Sequence, residues 1–165
     1  MLNQHRIIVS GLALFFFSIG LGAQQFHKRL SPAEKQHILD GPFTDVTKTE
    51  AMPATARQAF ATITAEPSFA LADPGQKFQL TDDGVNRGLP RRRLIFAGVH
   101  GDEWFVHYER GGLATGYYVL LFKVDPHNQL QFVWDGAGRH AARNLDQLRK
   151  MVIAGQFSDD MQNYW

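Results

Sequence analysis

Imidazole and carboxylate groups occur close together in the segment His-Gly-Asp-Glu-Trp-Phe-Val-His-Tyr-Glu, which begins at His100. In an extended strand, His107 and Glu109 project from the same face because side chains alternate between faces. A histidine beside a carboxylate is the minimum for general acid–base catalysis, and with His100 and Asp102 these residues are candidate ligands for zinc or a similar ion. We therefore treat His107 and Glu109, with His140 further along the chain, as candidate catalytic residues.

The spacing of this segment favours a simpler interpretation. No HExxH or comparable ligand pattern is present. By extended rise, His100 and His107 lie about 20 Å apart, too far to share one metal ion. A polar turn followed by one partly buried, hydrogen-bonded histidine accounts for the same residues, and we predict no cofactor.

A second polar group lies between residues 135 and 144, in the sequence Asp-Gly-Ala-Gly-Arg-His-Ala-Ala-Arg-Asn. A glycine-containing segment that precedes a helix and carries Arg139, His140 and Arg143 could bind an anion at the helix N-terminus. It is not a dinucleotide-binding motif, because the GxGxxG spacing is not met and no βαβ unit surrounds it. The alternative is a strand-to-helix connection whose glycines serve turn geometry alone.

Large aromatic side chains are concentrated after Pro90. Tyrosine and tryptophan are favoured at binding surfaces because they combine a large contact area with one polar group. Strand alternation places most of them in the core, whereas the residue at position 165 lies outside any predicted strand. The candidate binding aromatics are Trp104, Tyr108, Tyr117, Trp134 and Trp165.

The composition excludes several classes of protein. The chain has no cysteine, which removes a disulfide framework, a thiolate metal site and a cysteine nucleophile. Its 17 basic and 16 acidic residues leave no charge excess of the kind that binds nucleic acid. The one basic run, Arg91 to Arg93, is more typical of a solvated strand end. Neither a GxSxG nor an SxxK motif is present, so a serine hydrolase is not indicated.

Residues 1–23 have the pattern of a secretory signal peptide. Arg6 is followed by an uncharged, mostly apolar stretch from Ile7 to Ala23 that ends in small residues. An uncleaved membrane anchor is the alternative, although this stretch is shorter than the about 20 residues that a span needs. Since exported chains without disulfides fit bacteria best, we expect a bacterial periplasmic or extracellular location. Membrane contact is then expected only through this segment, if it is retained.

The rest of the chain divides near Pro90 into a helical, loop-rich part at 24–90 and a strand-rich part at 91–165, which together form one predicted domain. Cap residues and apolar periodicity predict three helices, from Ser31 to about Leu39, from Pro53 to about Thr64 and from Asn144 to about Gly155. Alternation predicts four strands, at residues 92–99, 103–109, 115–124 and 129–135.

Short turns join the four predicted strands, and such turns connect antiparallel neighbours. The expected fold class is therefore α+β, with a four-stranded antiparallel meander, two N-terminal helices and one C-terminal helix. The third strand is apolar on both faces. The second face of the sheet must then be covered, either by the N-terminal helices or by a second subunit.

These patterns support one leading hypothesis and two alternatives. The leading hypothesis is a non-enzymatic exported module that binds a protein or an envelope component through a sheet face and the aromatic C-terminal residues. One alternative is a small hydrolase or metal-dependent enzyme that uses His107, Glu109 and His140. The other is a structural homodimer that closes the second sheet face.

Overall fold

The computed structural model describes residues 31–81, 88–113 and 115–159. The predicted signal peptide or anchor at residues 1–23 and the candidate binding residue Trp165 lie outside these ranges. Within them, no helix has the length and apolar character needed to cross a membrane.

Short helices precede and follow the strands of a central sheet. The three α-helices are α1 at Pro32–Asp40, α2 at Ala54–Ile63 and α3 at Leu145–Ile153, and a 3-10 turn occupies Thr49–Ala51. The strands are β1 at Thr44–Val46, β2 at Arg92–His100, β3 at Glu103–Arg110, β4 at Gly116–Val124, β5 at Leu130–Gly138 and β6 at Phe157–Ser158.

The prediction of a four-stranded meander with two N-terminal helices and one C-terminal helix is wrong as a description of the architecture. The sheet has six antiparallel strands in the order β1-β2-β3-β4-β5-β6, and it dominates the fold. The two additional strands are edge strands of three and two residues, too short for side-chain alternation to mark them in the sequence. The coarser description, an α+β protein with an antiparallel sheet, is confirmed.

Both faces of the sheet are covered by the chain itself. On one side, the α2 face, Ala56 and Phe60 of the helix pack against the sheet residues Leu94, Val106 and Leu120. On the other, the α3 face, Leu148, Met151 and Val152 pack against Phe105, Leu121 and Trp134. The apolar character of β4 on both sides therefore follows from one helix on each face. A second subunit is not needed to explain it.

The helix starts are specified by their cap residues, as the sequence predicts. Ser31 and Glu34 form a reciprocal capping box at the start of α1, and the Asn144 side chain accepts a hydrogen bond from the Gln147 N–H at the start of α3. A hydrogen bond of 2.7 Å between His37 Nε2 and Glu103 Oε2 attaches α1 to the first residue of β3. The buried carboxylate of Glu103 is thereby paired.

The basic run at the start of β2 does not behave as one solvated segment. Arg91 is exposed, whereas Arg92 is buried and forms an ion pair with Glu66. Arg93 donates to Glu109 Oε1 at 2.6 Å and stacks over the Phe78 ring, with its guanidinium carbon 4.5 Å from the ring centroid. The strand period of two explains the difference, since it turns successive side chains to opposite faces.

Candidate functional site

His107 is enclosed in the α3 face of the sheet and is fully buried. Its Nε2 accepts a hydrogen bond from the Ala142 N–H at 3.0 Å, so Nδ1 carries the proton and donates to the Tyr118 carbonyl at 2.8 Å. The rings of Phe96 and Phe157 contact the imidazole edge-on. Burial lowers the pKa of His107 from 6.5 to about 4, although the bond to Tyr118 opposes this shift.

The environment of His107 is that of a structural histidine. Both ring nitrogens are occupied by backbone groups, and the ring remains neutral at physiological pH. It joins β3, β4 and the segment before α3, and no ring atom is left to exchange a proton with a substrate. The geometry therefore gives no support to acid–base catalysis by this residue.

The other members of the first polar segment are also committed elsewhere or separated. Glu109 is largely buried and bonded to Arg93, which lies directly opposite it in the β2–β3 register. His100, the last residue of β2, and Asp102, in the β2–β3 turn, are exposed at the opposite end of β3. Among the described residues, no group of three or more metal-ligating side chains could hold an ion.

Most of the candidate binding aromatics form the core. The side chains of Trp104 and Tyr108 are buried in the α2 face, and Trp134 is buried in the α3 face, where its Nε1 donates to Asp159 Oδ1 at 2.7 Å. Tyr117 is the exception, since it remains partly exposed and lies directly opposite Gly138 in the β4–β5 register. In this structure only Tyr117, of these four, can contact a partner.

An open groove of about 460 Å³ lies where β5 ends, beside α3 and β6. The exposed side chains of Arg139 and His140 stand on one side of it. Its lining is Ala137, Gly138, Arg139, His140, Met151, Gly155, Gln156 and Ser158. The lining therefore includes apolar residues together with a guanidinium, an imidazole, an amide and a hydroxyl group.

Glycine residues make room for this groove and for the strand beside it. Gly138 lies opposite Phe157 across the β5–β6 pairing, and a Cβ atom on Gly138 would stand 2.9 Å from the Phe157 ring. A Cβ atom on Gly136 would stand 2.4 Å from the Trp134 ring. The glycines of residues 135–144 thus lie within β5 and permit close packing. The sequence had suggested two other roles for them, anion binding before a helix or turn geometry in a strand-to-helix connection.

The groove faces the C-terminal turn of α3, not its N-terminus. At the N-terminus, Gln147 N–H is bonded to Asn144 and the Arg143 N–H to the Gln147 side chain, so the helix caps itself. Arg143 is exposed there, away from the groove lining. Positive charge for an anion in the groove must therefore come from the side chains that line it, above all the Arg139 guanidinium, because the C-terminus of a helix carries partial negative charge.

One buried acid lies close to this region but was given no role by the sequence pattern. Asp135 is 2 % exposed and lies opposite Leu120 on the α2 face. Burial raises its pKa from 3.8 to about 8, with a smaller contribution from the negative charge of Asp159. Its carboxyl group is therefore mostly protonated at neutral pH.

Comparisons with known proteins add no functional information. No protein-family model matches the chain, and neither curated proteins nor solved structures include a significant match. The geometry of the groove is therefore the remaining indication of function. Sequence reasoning selected Arg139 and His140 but missed Met151, Gln156 and Ser158, which only the packing of α3 and β6 brings to them.

Proposed function

We propose that this protein is an exported, non-enzymatic binding module and that the groove between β5, α3 and β6 is its binding site. The observation that carries the proposal is the pair of exposed basic side chains, Arg139 and His140, beside an open groove of about 460 Å³. That volume lies within the range of about 300–1,000 Å³ that is common for ligand sites.

The chemistry of the groove favours an acidic group on the ligand. A guanidinium group binds carboxylate or phosphate with two parallel hydrogen bonds, and a protonated imidazole would add a second charge. Gln156 and Ser158 offer neutral polar groups, while Met151 and Ala137 offer apolar contact. A partner that presents one acidic group beside an apolar one fits this lining, whether it is a protein or an envelope component.

Binding is favoured over catalysis because the described residues near the groove do not form a reactive set. His107 is sealed and neutral, and Glu109 is held by Arg93. Of the three candidate catalytic residues, only His140 lines the groove. Export remains part of the proposal, supported by the sequence pattern of residues 1–23.

The methyl group of Met151 gives a direct test of this proposal. The chain has only four methionines, so 13C-methyl NMR of the full chain yields few signals, and Met151→Leu assigns the relevant one. Inorganic phosphate and an acetylated Glu-Glu-Glu peptide serve as probes. We expect at least one of the two probes to shift the Met151 methyl signal. The methyl signal of Met52, which is buried on the α2 face, should not change.

Variants connect this shift to the basic side chains. Arg139→Gln should weaken probe binding at least about tenfold, because a charge-assisted hydrogen bond is worth about 1.5–3 kcal/mol. Arg57→Gln, on α2, is the matched control and should leave binding unchanged. No shift of Met151 with either probe, or an equal response in the Arg139→Gln protein, would contradict the proposal.

A further inference from the structure

Two leucine side chains are strongly exposed at one end of the sheet. Leu113, in the turn between β3 and β4, is 101 % exposed, and Leu80 is 53 % exposed. The Gly112 N–H donates to the Leu80 carbonyl at 3.1 Å, so the turn and the residue 80 segment lie side by side. Exposed apolar side chains that lie close together are a feature of interaction surfaces.

Basic residues occur at the same end of the sheet as these two leucines. The Gly111 N–H donates to the Arg91 carbonyl at 3.2 Å, which places the exposed Arg91 beside the same turn. Lys77 is exposed three residues before Leu80. Because β5 ends where β4 begins, the exposed Arg139 also lies at this end of the sheet. Arg91 precedes β2 and Arg139 follows β5, and the three inter-strand spacings of about 4.8 Å from β2 to β5 separate them by about 14 Å.

The opposite end of the sheet has a different charge. Its two turns carry Asp102 and Asp125, and the exposed Asp45 lies on β1 near the end of β2. Lys123 also lies at that end, directly opposite Glu103 in the register. In the described part of the sheet, basic residues therefore predominate at the end that carries Leu113, where Glu66 and Glu109 are paired with Arg92 and Arg93, and acidic residues predominate at the opposite end.

We infer that the end of the sheet formed by Leu80, Arg91 and Leu113 docks on an anionic phospholipid bilayer. A single exposed leucine that follows Gly111 and Gly112 in a turn is a wedge that can enter the acyl boundary, while the basic side chains meet lipid phosphates. Two leucines provide too little area for a stable protein interface, which needs about 800 Å² on each partner. The surface of an anionic bilayer is instead a continuous plane of negative charge, which basic residues as far apart as Arg91 and Arg139 can contact at the same time.

This inference shares the side chain of Arg139 with the proposed groove but does not rest on the function of the groove, because Leu80, Arg91 and Leu113 form the docking end without it. It also requires no membrane contact by residues 1–23. The test uses the full chain. Because the chain has no cysteine, one introduced cysteine can be labelled at a chosen position. An environment-sensitive fluorophore is attached at Leu113→Cys in one protein. In the control protein it is attached at Ile153→Cys, since Ile153 is an exposed apolar residue of α3.

The probe is a phosphatidylcholine vesicle with or without phosphatidylglycerol. We expect phosphatidylglycerol vesicles to shift the emission of the label at 113 to shorter wavelength and to make it accessible to a nitroxide on the acyl chain. The label at 153 should not respond. Raising the salt from about 0.1 M to about 1 M should abolish the response by screening. Adding Arg91→Gln should raise the lipid concentration required about fivefold.

Three results would overturn the inference. One is an equal response at 113 and 153, which would indicate adsorption through another part of the chain, residues 1–23 included. The second is a response at 113 that does not require phosphatidylglycerol. The third is a shift without vesicles that increases with protein concentration, because it would assign the leucines to contact between two copies of the chain. Circular dichroism of both labelled proteins checks that they fold.

Discussion

Replacing Asp135 with asparagine should change the pH dependence of folding stability in a defined direction. In the folded protein the carboxyl group of Asp135 has a pKa of about 8, against 3.8 for an ordinary aspartate. The folded state therefore holds a proton that the unfolded state releases between about pH 4 and pH 8. Stability contributed by this proton is complete below pH 4 and is lost as the pH rises through 8.

The magnitude follows from the two pKa values. Each pKa unit corresponds to about 1.4 kcal/mol, so Asp135 removes about 6 kcal/mol from the free energy of unfolding across this range. His107 acts in the opposite direction, because its pKa falls from 6.5 to about 4 and the unfolded state binds the extra proton. It adds about 3 kcal/mol as the pH rises from 4 to 6.5.

The two residues should therefore nearly cancel between pH 4 and pH 6.5. Above pH 6.5 only Asp135 still titrates, and the protein should lose about 2 kcal/mol by pH 8. In Asp135→Asn this loss should disappear, and the His107 contribution should become visible as a fall of about 3 kcal/mol from pH 6.5 down to pH 4. Asparagine has nearly the same size as aspartic acid, so the packing is preserved.

Urea unfolding followed by tryptophan fluorescence measures these differences, since Trp104 and Trp134 are buried reporters. Asp45→Asn, at an exposed edge-strand position, is the matched control and should keep the profile of the original protein. If Asp135→Asn loses as much stability between pH 6.5 and pH 8 as the original protein does, the buried carboxyl group is not the source of the pH dependence and the reasoning fails.

Two further substitutions test the packing around the sheet. His107→Ala should lower the free energy of unfolding by about 3–5 kcal/mol, because it leaves a cavity and an unpaired Ala142 N–H, whereas His127→Ala in an exposed turn should change it by less than about 0.5 kcal/mol. Gly111→Ala should cost about 1–3 kcal/mol, since its Cβ would stand 1.9 Å from the Gln79 carbonyl oxygen, while Leu113→Ala in the same turn should be nearly neutral. Urea unfolding measures both pairs, and equal values within either pair would contradict the corresponding contact.

The sequence carries enough information to predict the central strands and the helix caps. The hairpin turns and the period-two pattern place β2, β3, β4 and β5 within three residues of their observed bounds. These features are local, because an alternating strand and a capping box are each specified within about ten residues. The edge strands β1 and β6 are different, since two or three residues become a strand only by pairing with a neighbour.

The role of His107 could not be read from the sequence for the same reason. Its two hydrogen-bond partners are backbone groups 11 and 35 residues away. Because the contacts use backbone atoms, the side-chain types of Tyr118 and Ala142 do not predict them. The burial of Arg92 likewise depends on Glu66, which is 26 residues earlier in the chain. From the sequence alone, His107 and Arg92 could be reactive or ligand-binding residues. In the folded protein, tertiary hydrogen bonds and an ion pair already involve both side chains.

The groove shows how a cavity can form in a segment that carries no recognised binding motif. Gly136 and Gly138 give β5 a surface without side chains, and Trp134 and Phe157 occupy the space that Cβ atoms would need. Because β6 pairs with only Ala137 and Gly138, the sheet narrows at this edge, and α3 closes one side of the opening. The positions of Arg139 and His140 follow from where β5 ends. Residues 135–144, for which the sequence left an anion site and a plain strand-to-helix connection as alternatives, thus place two basic residues beside a groove through strand packing and not through a helix N-terminus.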